Sequence, residues 1–252
     1  MKKELSLFTT AGYPHIDSLP AHLELFENKG VDFVEVGIPF SDPLADGPTI
    51  QDASTVALKN GMHLGLLFEQ LKTRKSKIPI VLMGYINPVL QFGLDKFLQN
   101  AVEVGASGFV LPDLSVELYE ERYQSEFEEY GIPVCFLVTP STSNERVKKA
   151  AQLSRNGFVY LVSSNSTTGK ESNETTDLQA RYKEIKNLCG ATKVMIGFGI
   201  KDKDSFSTKA KNVDGGIIGS AFIKAAGEGK AEEFCESLCS AQAKSDPKMV
   251  RM

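Results

Sequence analysis

Apolar and β-branched residues recur along this chain in short runs, separated by longer stretches in which apolar positions fall three or four residues apart. The runs read as strands and the longer stretches as helices. Eight runs are present: LSLFTT from Leu5, VDFVEVGI from Val31, IPIVLMGY from Ile78, SGFVLPD from Ser107, IPVCFLVT from Ile132, GFVYLVS from Gly157, KVMIGFG from Lys193 and GGIIGS from Gly215. Their nearly continuous apolar character suits strands covered on both faces, as a parallel sheet requires. Helix boundaries carry ordinary signals, such as Ser143-Asn144-Glu145 before VKKAAQL and Gly105 after FLQNAVEV. One helix is expected after each strand. Strand starts recur at roughly 30 residues, the size of a βα unit that returns to the next parallel strand by a right-handed crossover. Eight units predict an α/β fold, a closed (β/α)8 TIM barrel, as a single domain over residues 1–252 with a loose polar tail from about 243. An open doubly wound sheet is the rival, but the turn after the first strand reads AGYPH and no GxGxxG occurs.

Composition narrows the class. The 252 residues are 42% hydrophobic and 24% charged, with a formal net charge of -4, which excludes disorder, collagen and coiled coil. With 28 Lys plus Arg against 32 Asp plus Glu there is no basic field, so neither nucleic acid nor a membrane surface is a favoured partner. The opening MKKELSLFTTAGYP has the outline of a secretory signal, but Glu4, Ser6, Thr9 and Thr10 interrupt the apolar core and Pro14 follows too soon. It reads as a strand. No stretch of about 18 apolar residues is present to span a bilayer. Cys135, Cys189, Cys235 and Cys239 form no CxxC pair and have no histidine at zinc-ligand spacing, so reduced packing thiols, no metal and a cytoplasmic location are expected.

A barrel does its chemistry at the carboxyl ends of its strands. The second strand is the richest: Glu35 lies within an apolar run, on the same side as Phe33 and Gly37 by period-two alternation. A carboxylate buried there is expensive unless used. Desolvation raises its pKa and makes it a proton donor or acceptor near neutrality, against the plainer reading of a structural pairing with Lys or Arg. Asp46 follows in PFSDPLADGP, where three prolines and a glycine stiffen either a closing catalytic loop or a simple turn. Late glycines supply a second signal. GFGI at 197–200 and Gly219-Ser220 end strands seven and eight, where bare amides and a helix N-terminus favour a phosphate. His15 is a weaker candidate for the mouth, while His22 and His63 read as packing or surface residues of helices. Nothing resembles a Ser/His/Asp set. The run YEERYQSEFEEY at 119–130 reads as a solvated helix face.

Taken together, these residues resemble the tryptophan synthase alpha chain over nearly the whole length. The string GIPFSDPLADGPTIQ is highly specific; FTTAGYP, LMGYINPV, PDL, FLVTPST, GFVYLVS, IGFGI and DGGIIGSAFIK support it. The resemblance implies a retro-aldol carbon-carbon lyase that cleaves indole-3-glycerol phosphate to indole and glyceraldehyde 3-phosphate, with no cofactor in this chain. It assigns Glu35 as acid/base and Asp46 as the acceptor of the indole N–H. Phe8, Tyr160 and Phe198 match positions lining the indole pocket, and Gly169, Gly199, Gly219 and Ser220 match the phosphate cradle. The implied partner is a pyridoxal-phosphate (PLP) beta subunit in an αββα heterotetramer, reached through a tunnel for indole. Asp42 and Pro43 of the PFSDPLADGP loop, with the loop after strand six, would form the communicating surface, and loop closure would couple the two sites.

Departures from the family pattern concentrate after strand six. The usual S-R-x-G-V-T-G reads Ser163-Ser164-Asn165-Ser166-Thr167-Thr168-Gly169. Thr168, the lid residue implied to contact the aspartate, and Gly169 remain, while a cation and a flexible glycine are lost. Ser115 replaces the proline usual after PDL, and little or no leading helix precedes strand one. Two expectations follow: a lyase slowed by a poorly closing lid, or a chain acting mainly as an allosteric activator of the beta subunit. A phosphosugar isomerase barrel would share the phosphate signal but not the PFSDPLADGP loop.

Overall fold

Each of the eight apolar runs contains strand structure in the computed structural model, which describes residues 2–163 and 176–239. The chain begins β1 (Glu4–Thr10), α1 (Ser18–Asn28), β2 (Phe33–Gly37), α2 (Pro48–Lys59), α3 (Leu64–Lys72) and β3 (Ile80–Met83). It continues α4 (Ile86–Phe92), α5 (Leu94–Glu103), β4 (Ala106–Val110), α6 (Val116–Arg122), α7 (Gln124–Glu129), β5 (Leu137–Val138) and α8 (Asn144–Leu153). The remainder is β6 (Phe158–Val162), α9 (Thr176–Cys189), β7 (Lys193–Gly197), α10 (Lys203–Lys209), β8 (Gly215–Ile218), α11 (Ser220–Gly227) and α12 (Ala231–Cys239).

The strands pair in parallel in the order β4-β3-β2-β1-β8-β7-β6-β5. The ends of that sheet meet: the Phe109 N–H donates to Pro133 O at 2.9 Å and the Cys135 N–H to Phe109 O at 2.8 Å, a bridge that closes the barrel. This join explains why β5 is shorter than the IPVCFLVT run. Pro133 has no N–H to give, and the Phe136 N–H goes to the Ser154 hydroxyl at 3.0 Å instead of to a neighbouring strand.

Period-two alternation sorts the strand residues between two cores. Phe8, Phe33, Val81, Met83, Val110, Phe158, Tyr160, Met195 and Ile217 fill the barrel interior. Leu7, Val34, Val36, Leu82, Phe109, Leu161, Ile196 and Ile218 face the helices. His22 belongs to the outer layer, as a packing residue: its Nδ1 lies 2.9 Å from the Thr9 hydroxyl, and its ring meets Phe222 edge-on. Burial lowers its pKa to about 4, so it is a neutral ring here.

One helix per strand is not what forms, since β2, β3, β4 and β8 are each followed by two. Local chemistry makes the breaks. His63 Nδ1 caps α3 by accepting the Leu66 N–H at 3.2 Å, and Gly93, at φ 97, turns the chain between α4 and α5. The acidic run at 119–130 likewise divides into α6 and α7, with Tyr119 and Phe127 inward and the acids outward. Ser115 has a clear use: its hydroxyl accepts the Leu118 N–H at 3.1 Å and caps α6. Among the described residues no helix is long and apolar enough to cross a membrane. The expected tail from about 243 lies outside the described residues.

Candidate active site

β2 places Glu35 inside the barrel with no solvent exposure, beside Phe33 and Gly37 as the alternation requires. Neither of its carboxyl oxygens has a hydrogen-bond partner among the described residues, and no Lys or Arg among them is paired with it. Desolvation, and then the charge of Asp46, raise the Glu35 pKa from 4.5 to about 8. An unpartnered acid of this kind on the floor of a cavity is poised to give a proton near neutral pH.

Asp46 reaches the same cavity from the loop between β2 and α2, and several bonds hold it there. The Tyr85 hydroxyl donates to Asp46 Oδ2 at 2.8 Å and accepts the Ala45 N–H at 2.9 Å. Gln51 Nε2 donates to Asp46 O at 2.9 Å, and the Asp46 N–H closes a turn onto Pro43 O at 3.0 Å. Burial raises the Asp46 pKa, and the Tyr85 hydrogen bond lowers it in part. The two carboxyls are thus driven apart: Glu35, without a donor, is held neutral, while Asp46 keeps a donor suited to its anion.

The cavity they share has a volume of about 540 Å³, within the ~300–1,000 Å³ usual for small-molecule sites. Phe8, Tyr160 and Phe198 line it, with Met83, Ile50 and Ile217. Two glycines make room for the rings: a Cβ on Gly37 would strike the Phe8 ring and one on Gly197 the Tyr160 hydroxyl. Burial, and then Glu35 and Asp46, hold the Tyr160 phenol well above its ordinary pKa.

Gly199, Gly219 and Ser220 line the same cavity. Phe198 is the one described non-glycine residue with positive φ, at 72, and Gly199 follows at 68. Such a conformation costs about 1 kcal/mol or more for a side-chain-bearing residue. It is held by Ser163, whose hydroxyl donates to Phe198 O at 2.8 Å and whose N–H donates to Gly197 O at 3.1 Å. Gly219 caps α11 without a side chain, so the first amides of that helix are left for an external acceptor.

Thr168 and Gly169, and the altered lid beyond Ser163, lie outside the described residues. Asp42 is exposed on the loop; Pro43 is buried beneath it, and the apolar side chain presented outward is Leu44, 89% exposed. His15 is exposed and does not line the cavity. Among the described residues no group of three or more His, Cys, Asp and Glu side chains is placed to hold a metal. Sequence reasoning missed Tyr85, buried against Asp46, and Lys201 and Lys224, which line the cavity. A signal for Tyr85 existed: it stands just past the carboxyl end of β3, where a barrel keeps its functional side chains.

The family model for the tryptophan synthase alpha chain matches residues 1–249. A tryptophan synthase alpha chain of Christiangramia forsetii is 49% identical, covering 88% of this chain and 87% of the relative. One of Flavobacterium johnsoniae is 46% identical, covering 92% and 94%. Among solved structures, the Legionella pneumophila alpha chain superposes with a TM-score of 0.84 at 31% identity, covering 98% of this chain and 94% of that one. A chain of a tryptophan synthase complex from Pyrococcus furiosus gives 0.83 at 34% identity, covering 95% and 100%.

Proposed function

This chain belongs to the tryptophan synthase alpha chain family, and on that premise we propose that it cleaves indole-3-glycerol phosphate, with Glu35 as acid and base and Asp46 as acceptor of the indole N–H. The observation that carries the assignment is the buried, unpartnered Glu35 carboxyl sharing one cavity with Asp46. Glu35 begins as the neutral acid and protonates indole C3, giving a cation whose N–H the Asp46 carboxylate accepts. The side-chain hydroxyl next to C3 then returns a proton to Glu35 as its carbonyl forms. The bond from that carbon to C3 breaks, and its electron pair restores the aromatic ring. Indole and glyceraldehyde 3-phosphate leave with the proton count closed. Phe8, Tyr160 and Phe198 supply apolar walls for the indole. Gly199, Gly219 and Ser220 offer amides and a hydroxyl to the phosphate, as does Gly169 by the family resemblance, which gives Thr168 a contact with Asp46 instead.

No cofactor is required in this chain; pyridoxal phosphate belongs to a beta subunit. A relative described as part of a tryptophan synthase complex supports that partnership, and the exposed Asp42 and Leu44 provide a contact beside the catalytic loop. An αββα assembly with indole passing between sites is the finer form of this reading. A cleavage step slower than in relatives with the full lid motif is a further refinement, supported by Ser164, Ser166 and Thr167 in place of the motif's Arg, Gly and Val. Incubating the full chain with indole-3-glycerol phosphate and measuring both products tests the assignment. Release of indole and aldehyde in equal amounts, lost on Glu35→Gln, is expected; an unchanged rate in that variant rejects it.

A further inference from the structure

Two exposed cations line the cavity without a role from the motifs above. Lys201, on the turn between β7 and α10, and Lys224, on α11, line it together with Gly199, Gly219 and Ser220. Lys224 lies four residues after Ser220 on one face of α11, and helical side chains lean toward the N-terminus, which directs its stem back toward the free amides. Neither ammonium group is engaged in an ion pair among the described residues. Their acidic neighbours, Asp202 and Glu228, act on them only through space. Other lysines near strand ends are differently placed: Lys186 pairs with Asp214 and Lys193 with Glu4.

We propose that Lys201 and Lys224 are the charge partners of the substrate's phosphate, adding two full positive charges to the partial charge of the α11 amides. This rests on the reading that the glycine end of the cavity takes the phosphate. Backbone amides at a helix start amount to about half an elementary charge, and Asp46, which lines the same cavity, repels a dianion. Two lysines offset that repulsion. Their positive charge favours the phosphate over a neutral group at the part of the cavity that Gly199, Gly219 and Ser220 line. In a chain of net charge -4, a local basic rim also gathers anionic substrate.

The test uses the full chain carrying Lys201→Gln, Lys224→Gln or both, assayed for cleavage with inorganic phosphate and, separately, indole as competing inhibitors. The phosphate inhibition constant is expected to rise about threefold in each single variant and about tenfold in the double variant. KM should rise in parallel while kcat stays within about twofold, with the effect fading at high salt. The inhibition constant of uncharged indole should not move, and Lys224→Arg should restore phosphate binding. An unchanged phosphate constant in the double variant overturns the proposal and leaves the amide cradle standing. A joint rise for phosphate and indole also overturns it, since the lysines would then only support the fold. Failure of inorganic phosphate to compete in the unsubstituted chain rejects the phosphate reading itself, and the proposal with it.

Discussion

Replacing Glu35 with glutamine keeps the shape of the side chain and removes its proton equilibrium, which ties stability to pH in a calculable way. Below the unfolded value near 4.5 the carboxyl is protonated in both states, and the site carries no ionic penalty. Above it the unfolded chain releases the proton while the folded chain keeps it to about 8, so stability falls steadily as pH rises through that window. At about 1.4 kcal/mol per pH unit the whole loss is roughly 5 kcal/mol, of which about 3 kcal/mol falls between pH 6 and 9. That is a large fraction of the ~5–15 kcal/mol that holds a domain folded. Urea unfolding of the native chain and of Glu35→Gln at both pH values measures it. The gap between the two stability curves should widen by about 3 kcal/mol toward pH 9 in favour of glutamine. His22, lowered to about 4, contributes equally to both proteins and cancels. Parallel curves would refute the argument, because they would mean that Glu35 ionises as freely in the folded state as in the unfolded one.

Two other substitutions probe the loop. Tyr85→Phe removes the donor to Asp46 and the acceptor of the Ala45 N–H; kcat/KM for cleavage should fall about tenfold, as for one charge-assisted hydrogen bond, and thermal unfolding should show a loss of about 1 kcal/mol. Leu44→Glu, at a side chain 89% exposed, should leave unfolding free energy within about 0.5 kcal/mol while reducing the chain's stimulation of indole-plus-serine turnover by a beta subunit.

Much of this molecule was legible in one sequence because its signals are local. Strand runs, their alternation and the glycines at strand ends each depend on residues within a few positions of one another. Glu35 was found that way, as a carboxyl interrupting an apolar strand. What stayed hidden depends on distance along the chain. Tyr85 acquires its meaning only when β3 brings its hydroxyl against Asp46, 39 residues earlier. The shortness of β5 depends on Ser154 accepting a bond that a strand neighbour would otherwise take. Lys201 and Lys224 look like ordinary surface lysines until β7 and β8 set them at one cavity. Pro43 read as a surface residue from its loop, yet the loop folds over it and turns Leu44 outward.

Glu35 is the proposed proton donor of this site, held neutral by burial until about pH 8. The pH dependence of kcat/KM for indole-3-glycerol phosphate cleavage reports ionisations of the free protein and tests this most directly. A decline on the basic side is expected that begins near pH 8 and approaches tenfold per unit. A profile that stays level from pH 7 to 10, or one that Glu35→Gln leaves unaltered in height and shape, would contradict it.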